Sequence, residues 1–520
     1  MSEPVLLVLG LAAAIAFAIV AKRFALPYPI VFVLAGTALA FVPGLPQVRI
    51  APDWIFLAIL PPLLFSGGWA TDWVMFRRNL RPILQLAIGL VVVSTVAVAA
   101  LADRIVPVLG WAGAFVLGAI VSPPDAVAAI AVFERFAVPR RIAAVIDGEG
   151  LVNDATALVI YGYAVAAATT GEFAVVPALG SFVVVAVGGV AAGVAVAWIV
   201  ERLSRALVRL DLTDSLIDTL LVIGAAYAAY LGGQALHVSG VLSTVVAGLL
   251  ISRRSSVVFS PESRLIGVNV WNVWIYLLNA YVFLAIGLQL RGFVAGGGRA
   301  AALLPAALAI SALLIAVRLA WIYPAAVIPR LIPAVRRADP RPPWSWLTII
   351  GWTGMRGIVS LAAALALPPI ARRDDIIFIT FVVIFVKLVG QGLTLIPLLR
   401  LLRISRDGDG ERREVEVRIA GLRAGLQKIR EMRARHAAPD EREVLDRLAD
   451  EYQHRIEHLN RHGTGTAAET AASRFDHDAQ TAAIRAERRA IMRLRDRGEI
   501  PDEIFRKVQY DMDLAESRLF

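Results

Sequence analysis

Asn153 and Asp154 stand side by side in an apolar stretch, a neutral amide next to an acid. In the preceding apolar stretch, Ser122-Pro123-Pro124-Asp125 interrupts the run. Ionisable groups and broken helix backbone are both costly in hydrocarbon, and both are tolerated where they line a cavity or an ion path. A carboxylate in such a place is stable when it holds a proton or a cation, and it can therefore exchange one for the other. Hard cations such as Na+ and Li+ prefer oxygen ligands. Asp154 is thus the expected shared cation and proton site, and Asn153 adds an oxygen acceptor without a second titrating group.

The neighbouring residues extend this chemistry. Pro123 and Pro124 remove two helix hydrogen bonds and free carbonyls within the span, which with the half-helix ends can face a cation beside Ser122. Asp125 is expected to compensate the N–H groups exposed at the break, as an organiser rather than the carrier. Asp147 and Glu149 precede Asp154 on the same stretch. A second buried acid needs a cationic partner, and Arg318 and Arg356 are available. A Glu149–Arg318 pair is expected, with Arg356 between two half-helices of a second break, both as structural ion pairs. Lys387 falls mid-segment, where it is either neutral or paired with an acid such as Asp218 or Asp125. Asp218 fits equally well near a membrane boundary.

Elements long enough to hold these groups in a bilayer are plentiful. The chain has 520 residues, 58% of them hydrophobic, and a mean hydropathy of +0.68, whereas soluble domains are about half apolar. Hydropathy with Pro, Gly and charge punctuation predicts thirteen spans: 4–21, 28–45, 53–70, 82–102, 110–133, 141–168, 174–200, 215–232, 238–252, 268–290, 300–329, 345–369 and 375–400. The first lacks a convincing small-residue cleavage site and is expected to be retained. With no cysteine, disulfides and thiolate metal sites are excluded.

Loop charge orients the bundle. Alternate loops carry eighteen basic residues (Lys22, Arg23; Arg77, Arg78, Arg81; Arg135, Arg140, Arg141; Arg202, Arg205, Arg209; Arg253, Arg254, Arg264; Arg330, Arg336, Arg337, Arg341), and the opposite set carries six (Arg49, Arg104, Arg291, Arg299, Arg372, Arg373). The positive-inside rule puts the rich set in the cytoplasm, the amino terminus outside and the tail inside. Spans 1–6 and 8–13 would then be antiparallel copies of one unit, an inverted repeat. The fifth span of each copy is interrupted, by Pro123-Pro124-Asp125 and by the Gly-rich run Gly351–Gly357. Such matched breaks point to a site at the bilayer midplane.

Composition changes at about residue 404. Residues 1–403 hold 29 Lys/Arg against 18 Asp/Glu, and 404–520 hold 23 against 24. The basic excess thus belongs to the membrane loops, which argues against nucleic-acid binding. A linker over 405–410 leads to helical periodicity over 414–461, a loop over 464–472 and further helices over 474–497 and 502–519. Domains are therefore expected at 1–403 and 404–520, the second a soluble cytoplasmic regulatory unit whose partner the sequence does not name. His454, His458 and His462 recur at i, i+4 and i+8. That pattern fits the solvated face of a charged helix; it would also suit a pH sensor or a transition-metal site, since histidine titrates near neutrality and i, i+4 imidazoles can share a metal.

Seven segments in order resemble the bacterial sodium/proton antiporters of the monovalent cation:proton antiporter-1 family, relatives of the animal sodium/proton exchangers. They are Leu60-Pro-Pro-Leu-Leu-Phe65, Ser122-Pro-Pro-Asp-Ala-Val-Ala128, Gly148-Glu-Gly-Leu-Val-Asn-Asp154, His237-Val-Ser-Gly-Val-Leu242, Phe283-Leu-Ala-Ile-Gly-Leu288, Gly354-Met-Arg-Gly-Ile-Val-Ser360 and Gln391-Gly-Leu-Thr394. The resemblance implies electroneutral exchange of one Na+, Li+ or K+ for one H+ at Asp154, with Asn153 beside it. It also implies Asp125 at the crossing of two unwound helices, the Glu149–Arg318 pair, and a homodimer whose spans 4–6 and 11–13 move against a scaffold. Three positions depart from the family pattern. Pro124 stands where Thr is common, Ser66 where many members have an acid, and Gly233-Gln234 where Ala-Glu is frequent, so the cation cage is poorer in oxygen.

The reading is an all-α polytopic membrane protein of about thirteen spans with two inverted repeats and a helical tail. It is an electroneutral cation/proton antiporter of a bacterial inner membrane, not an enzyme, with no cofactor. Its expected partners are monovalent cations, protons, the bilayer and a second copy. Ser66, Asp147, Lys387 and Asp218 are accessory candidates. The alternatives are a K+/H+ antiporter, an ion-regulated signalling protein acting through the tail, and an organic-anion symporter. The last would need cationic substrate contacts where this chain concentrates acids.

Overall fold

The apolar stretches fold as helices because hydrocarbon offers no water to backbone N–H and C=O groups, and an α-helix satisfies them within one segment. The computed structural model describes residues 3–24, 26–42, 54–133, 138–171, 175–291, 298–404, 408–435 and 438–462, with scattered positions elsewhere; all regular structure among them is helical. The chain divides into two units, Met1–Ser405 and Arg406–Phe520.

The first unit contains α1 (Glu3–Arg23), α2 (Tyr28–Ala40), α3 (Leu60–Ala70), α4 (Leu80–Ile105), α5 (Gly110–Val121), α6 (Val127–Phe133), α7 (Arg140–Thr170), α8 (Val175–Arg209), α9 (Ser215–Ala235), α10 (Gly240–Val258), α11 (Pro261–Leu288), α12 (Gly298–Val327), α13 (Trp344–Trp352), α14 (Ile358–Leu365) and α15 (Arg373–Leu401). Eight helices among the described residues are long and apolar enough to cross a bilayer, and shorter apolar helices lie among them. This is an all-α polytopic membrane protein.

Two of the predicted spans are each built from two short helices. The run 110–133 divides into α5 and α6 around Ser122–Ala126, where consecutive prolines cannot donate and clash with the preceding turn. The run 345–369 divides into α13 and α14 around Thr353–Gly357 without any proline. The two breaks meet. The Asp125 N–H donates to the Met355 carbonyl at 2.8 Å, so each interrupted backbone partly satisfies the other.

A large apolar core surrounds this crossing, with Leu117, Ile120 and Val121 of α5, Leu361 of α14, and Phe381 and Leu388 of α15 among its buried members. Elsewhere backbones approach closely. A side chain at Gly36 of α2 or Gly287 of α11 would strike the facing helix's main chain, which is why glycine occupies both positions. Small residues allow this contact where lipid supplies no hydrophobic drive for helix association.

The second unit, described by itself, contains α16 (Gly408–Arg435) and α17 (Pro439–His462). They pack through Ile419, Leu426 and Ile456, and an ion pair links Arg433 with Asp446. The helical run expected over 414–461 is therefore two helices. Pro439 cannot continue a helix and instead begins one. His454 and His458 are exposed on α17. The side chain of His462, the residues Arg49 and Arg135, the loop 464–472 and most of the helices expected over 474–497 and 502–519 lie outside the described residues.

Candidate ion-exchange site

Asn153 and Asp154 reach the crossing from α7. The Asn153 amide Nδ2 donates to the Pro124 carbonyl at 2.7 Å, one of the acceptors freed by the break. Its Oδ1 is buried and has no hydrogen-bond partner among the described residues. Ser122 is held in place by donating its hydroxyl to the Gly118 carbonyl at 2.6 Å.

Asp125 organises the crossing. Its Oδ1 accepts the Val127 N–H at 2.8 Å, so the acid caps the start of α6. Donors at a helix start favour an anion there. The carboxylate packs directly on Gly357, where any Cβ would collide with it.

Glu149 and Arg318 form a fork at 2.6 and 2.7 Å, with both residues buried. Arg318 also donates to the Ile350 carbonyl from Nε and Nη2 at 3.1 and 3.0 Å. This is the geometry in which a buried charge pair is fully satisfied. Arg356 departs from the expected ion pair. Its guanidinium donates to the carbonyls of Val121 and Gly354, so it ties one break to the other through backbone acceptors. The loss of helix at both breaks exposes carbonyls, and those carbonyls are nearer to hand than an acid.

Against this saturation Asp154 differs. The residue is half-buried, and among the described residues no hydrogen bond or ion pair engages its carboxylate. Asp125 and Arg356 are the charges it feels.

The structure brings neither expected acid to Lys387. It is 0% exposed in a π-helical turn, Val386–Gln391, beside Gly354, and its Nζ has no hydrogen-bond partner among the described residues. Arg356, Arg318 and Glu149 are the charges around it. Neither acid the sequence offers reaches it. Asp125 is occupied as a cap, and Asp218 lines a separate cavity together with Ser66. Asp147 accepts from the Thr71 hydroxyl at 2.9 Å and so ties α7 to the end of α3. Sequence reasoning missed Asp375, paired with Arg299 at 2.7 Å, and Asp339, bound by both Arg141 and Arg330. The only signal for either was an acid placed near arginines in a polar loop or helix start. Among the described residues no group of three or more His, Asp or Glu side chains forms a metal cage.

Comparisons with known proteins bear on the family and the fold. The family model described as "Sodium/hydrogen exchanger, transmembrane" matches residues 10–401. A Mycobacterium tuberculosis protein described as an uncharacterized Na+/H+ exchanger is 32% identical over 99% of this chain and 96% of its own. A Bacillus pumilus protein, described as a sodium, potassium, lithium and rubidium/H+ antiporter, is 29% identical over 88% of this chain and 70% of its own. The solved sodium proton antiporter MjNhaP1 of Methanocaldococcus jannaschii superposes with a TM-score of 0.56 at 16% identity, covering 76% of this chain and 97% of that one. With nearly the whole membrane unit matched, the chain belongs to the sodium/hydrogen exchanger family of bacterial monovalent cation:proton antiporters.

Proposed function

We propose that the protein exchanges external or internal Na+ for H+ across a bacterial inner membrane, one for one, with Asp154 as the shared site. The observation that carries this reading is the Asp154 carboxylate, the acid left unpaired among the described residues where Asp125, Glu149, Arg318 and Arg356 are all engaged. When deprotonated it can take a cation with help from the unpaired Asn153 Oδ1; when protonated it is neutral. Since Asn153 cannot titrate, each turnover moves one charge in and one out.

The core of α4–α7 and α12–α15, read as parts of two inverted repeats, carries the site alternately to either side against the remaining scaffold helices, in a homodimer of thirteen-span protomers. The amino terminus lies outside. Residues 404–520 form a cytoplasmic regulatory domain. No cofactor or catalytic chemistry is needed. Li+ and K+ are the other candidate cations; the name of the Bacillus pumilus relative and Pro124, which brings no hydroxyl to the site, favour a loose ion choice.

The test is cation-induced proton flux in proteoliposomes challenged with Na+, Li+ and K+ in turn. Flux with Na+ that vanishes in Asp154→Asn is expected. Flux of the variant at the wild-type rate would remove Asp154 from the mechanism.

A further inference from the structure

Four helix ends enclose a cavity of about 110 Å3, lined among others by Ser66 and Trp69 of α3, Asp218 of α9, Phe259 just after α10, and Arg264 and Trp271 of α11. It shares no lining residue with the crossing of the broken helices. Two of its groups are incomplete. Asp218 is 3% exposed and its Oδ1 has no hydrogen-bond partner among the described residues; the same is true of the indole Nε1 of Trp271, which is 8% exposed. A buried acceptor and a buried donor without partners each carry a desolvation cost that a ligand can remove.

The charges of the cavity narrow the ligand. Arg264 donates one N–H to the Phe259 carbonyl at 2.7 Å, and among the described residues no acid pairs with it, Asp218 included. One cavity thus holds an anion and a cation kept apart. A simple metal cation would be repelled by Arg264, and a simple anion by Asp218. A zwitterion satisfies both. The aromatic walls of Trp69, Phe259 and Trp271 suit an ammonium and its methylenes.

Depth narrows it further. Asp218 lies in the first turn of α9 and Ser263 in that of α11, while Ala70 ends α3, so the cavity sits at the edge of the apolar slab. Around it Leu216, Leu220 and Leu265 are 70%, 66% and 63% exposed, side chains suited to lipid. The loops at this end carry Arg77, Arg78, Arg253 and Arg254.

We propose that this cavity binds an aminophosphate zwitterion, a primary ammonium two carbons from a phosphate, as presented by an aminophospholipid headgroup. The ammonium donates to Asp218 Oδ1, and the phosphate accepts from Trp271 Nε1 and Arg264. A soluble phosphoethanolamine would present the same groups.

Native mass spectrometry of the lipid-stripped full-length protein tests this, offered equimolar phosphatidylethanolamine and phosphatidylcholine, which differ in the ammonium N–H donors. Retention of the ethanolamine lipid is expected at about tenfold over the choline lipid, the size of one charge-assisted hydrogen bond. Asp218→Asn should abolish that preference. Trp271→Phe should weaken retention while keeping the preference, and it serves if the first variant does not fold. In a parallel arm, phosphoethanolamine raising the Tm more than phosphocholine, without any lipid preference, assigns the same site to a soluble ligand. Equal retention of the two lipids together with equal effects of the two soluble compounds overturns the proposal, as does a preference that survives Asp218→Asn. Transport is not read in any arm, so the outcome is independent of the exchange mechanism.

Discussion

Glu149 and Asp154 lie on the same helix, about 7.5 Å of rise apart, yet their surroundings are opposite. Glu149 accepts both arms of a buried guanidinium that is itself anchored on the Ile350 carbonyl. Asp154, five residues on, faces the crossing with no such partner among the described residues. A buried acid with a fork of donors keeps its charge and fixes two helices. An acid without one must find its counter-charge in a proton or a cation, and the identity of that counter-charge is free to change. The difference between a structural and an exchangeable carboxylate is thus made by the neighbours and not by the acid.

The sharpest way to break this contrast is Asp154→Asn. Exchange should fall to the level of protein-free liposomes while the melting temperature in detergent changes little. Retained exchange would show that the carrier is elsewhere. The next effect belongs to the other acid. Glu149→Ala and Arg318→Ala should each cost about 3–5 kcal/mol of stability by stranding a buried charge, and the double variant should cost less than the sum. Additive losses in melting temperature would mean that the two groups do not act as a pair.

A smaller effect is expected at the crossing itself. Gly357→Ala places a methyl group against the Asp125 carboxylate, which should lose roughly 1–3 kcal/mol as the cap on α6 is disturbed. Asp125→Asn in that background should then add little, because both changes remove the same contacts. Full additivity in thermal denaturation would separate them. Smaller still is the effect of voltage. Each uncompensated charge would feel about 2.3 kcal/mol per 100 mV, so a one-for-one cycle should reach the same ion gradient with or without an imposed potential. A shifted end point would bring the buried amine of Lys387 into the cycle. Last, a chain ending at residue 404 and a His454/His458/His462→Gln triple variant should both keep the wild-type pH profile, because protons and cations compete at Asp154. A changed profile would move the pH response to the tail.

The polar residues of the membrane unit were legible as breaches of an apolar pattern. Asn153, Asp154, Pro123, Pro124 and the Glu149–Arg318 pair could be found this way because each is a costly residue type in lipid, and cost restricts where it can go. The meeting of the two breaks was less legible. Asp125 N–H to Met355 O and Arg356 to Val121 O are contacts with main chain, and every residue offers the same main chain, so no residue type announces them. Lys387 was visible, but its surroundings were not, because the π-helical turn that sets its direction has no sequence signature. Asp218 and Ser66 were noted separately, and only the packing of α3 against α9 and α11 brings them to one cavity.

The bond from Asp125 N–H to the Met355 carbonyl has an evolutionary consequence. A contact made by backbone atoms survives almost any substitution at either position, with proline at 125 the exception, since proline has no N–H. This one contact between the two broken helices is in this sense blind to side-chain identity. The side chains around it can drift, as where Pro124 brings no hydroxyl, while the crossing stays in register. Descendants of one ancestor can therefore explore ion preference without first reinventing the place where the ion binds.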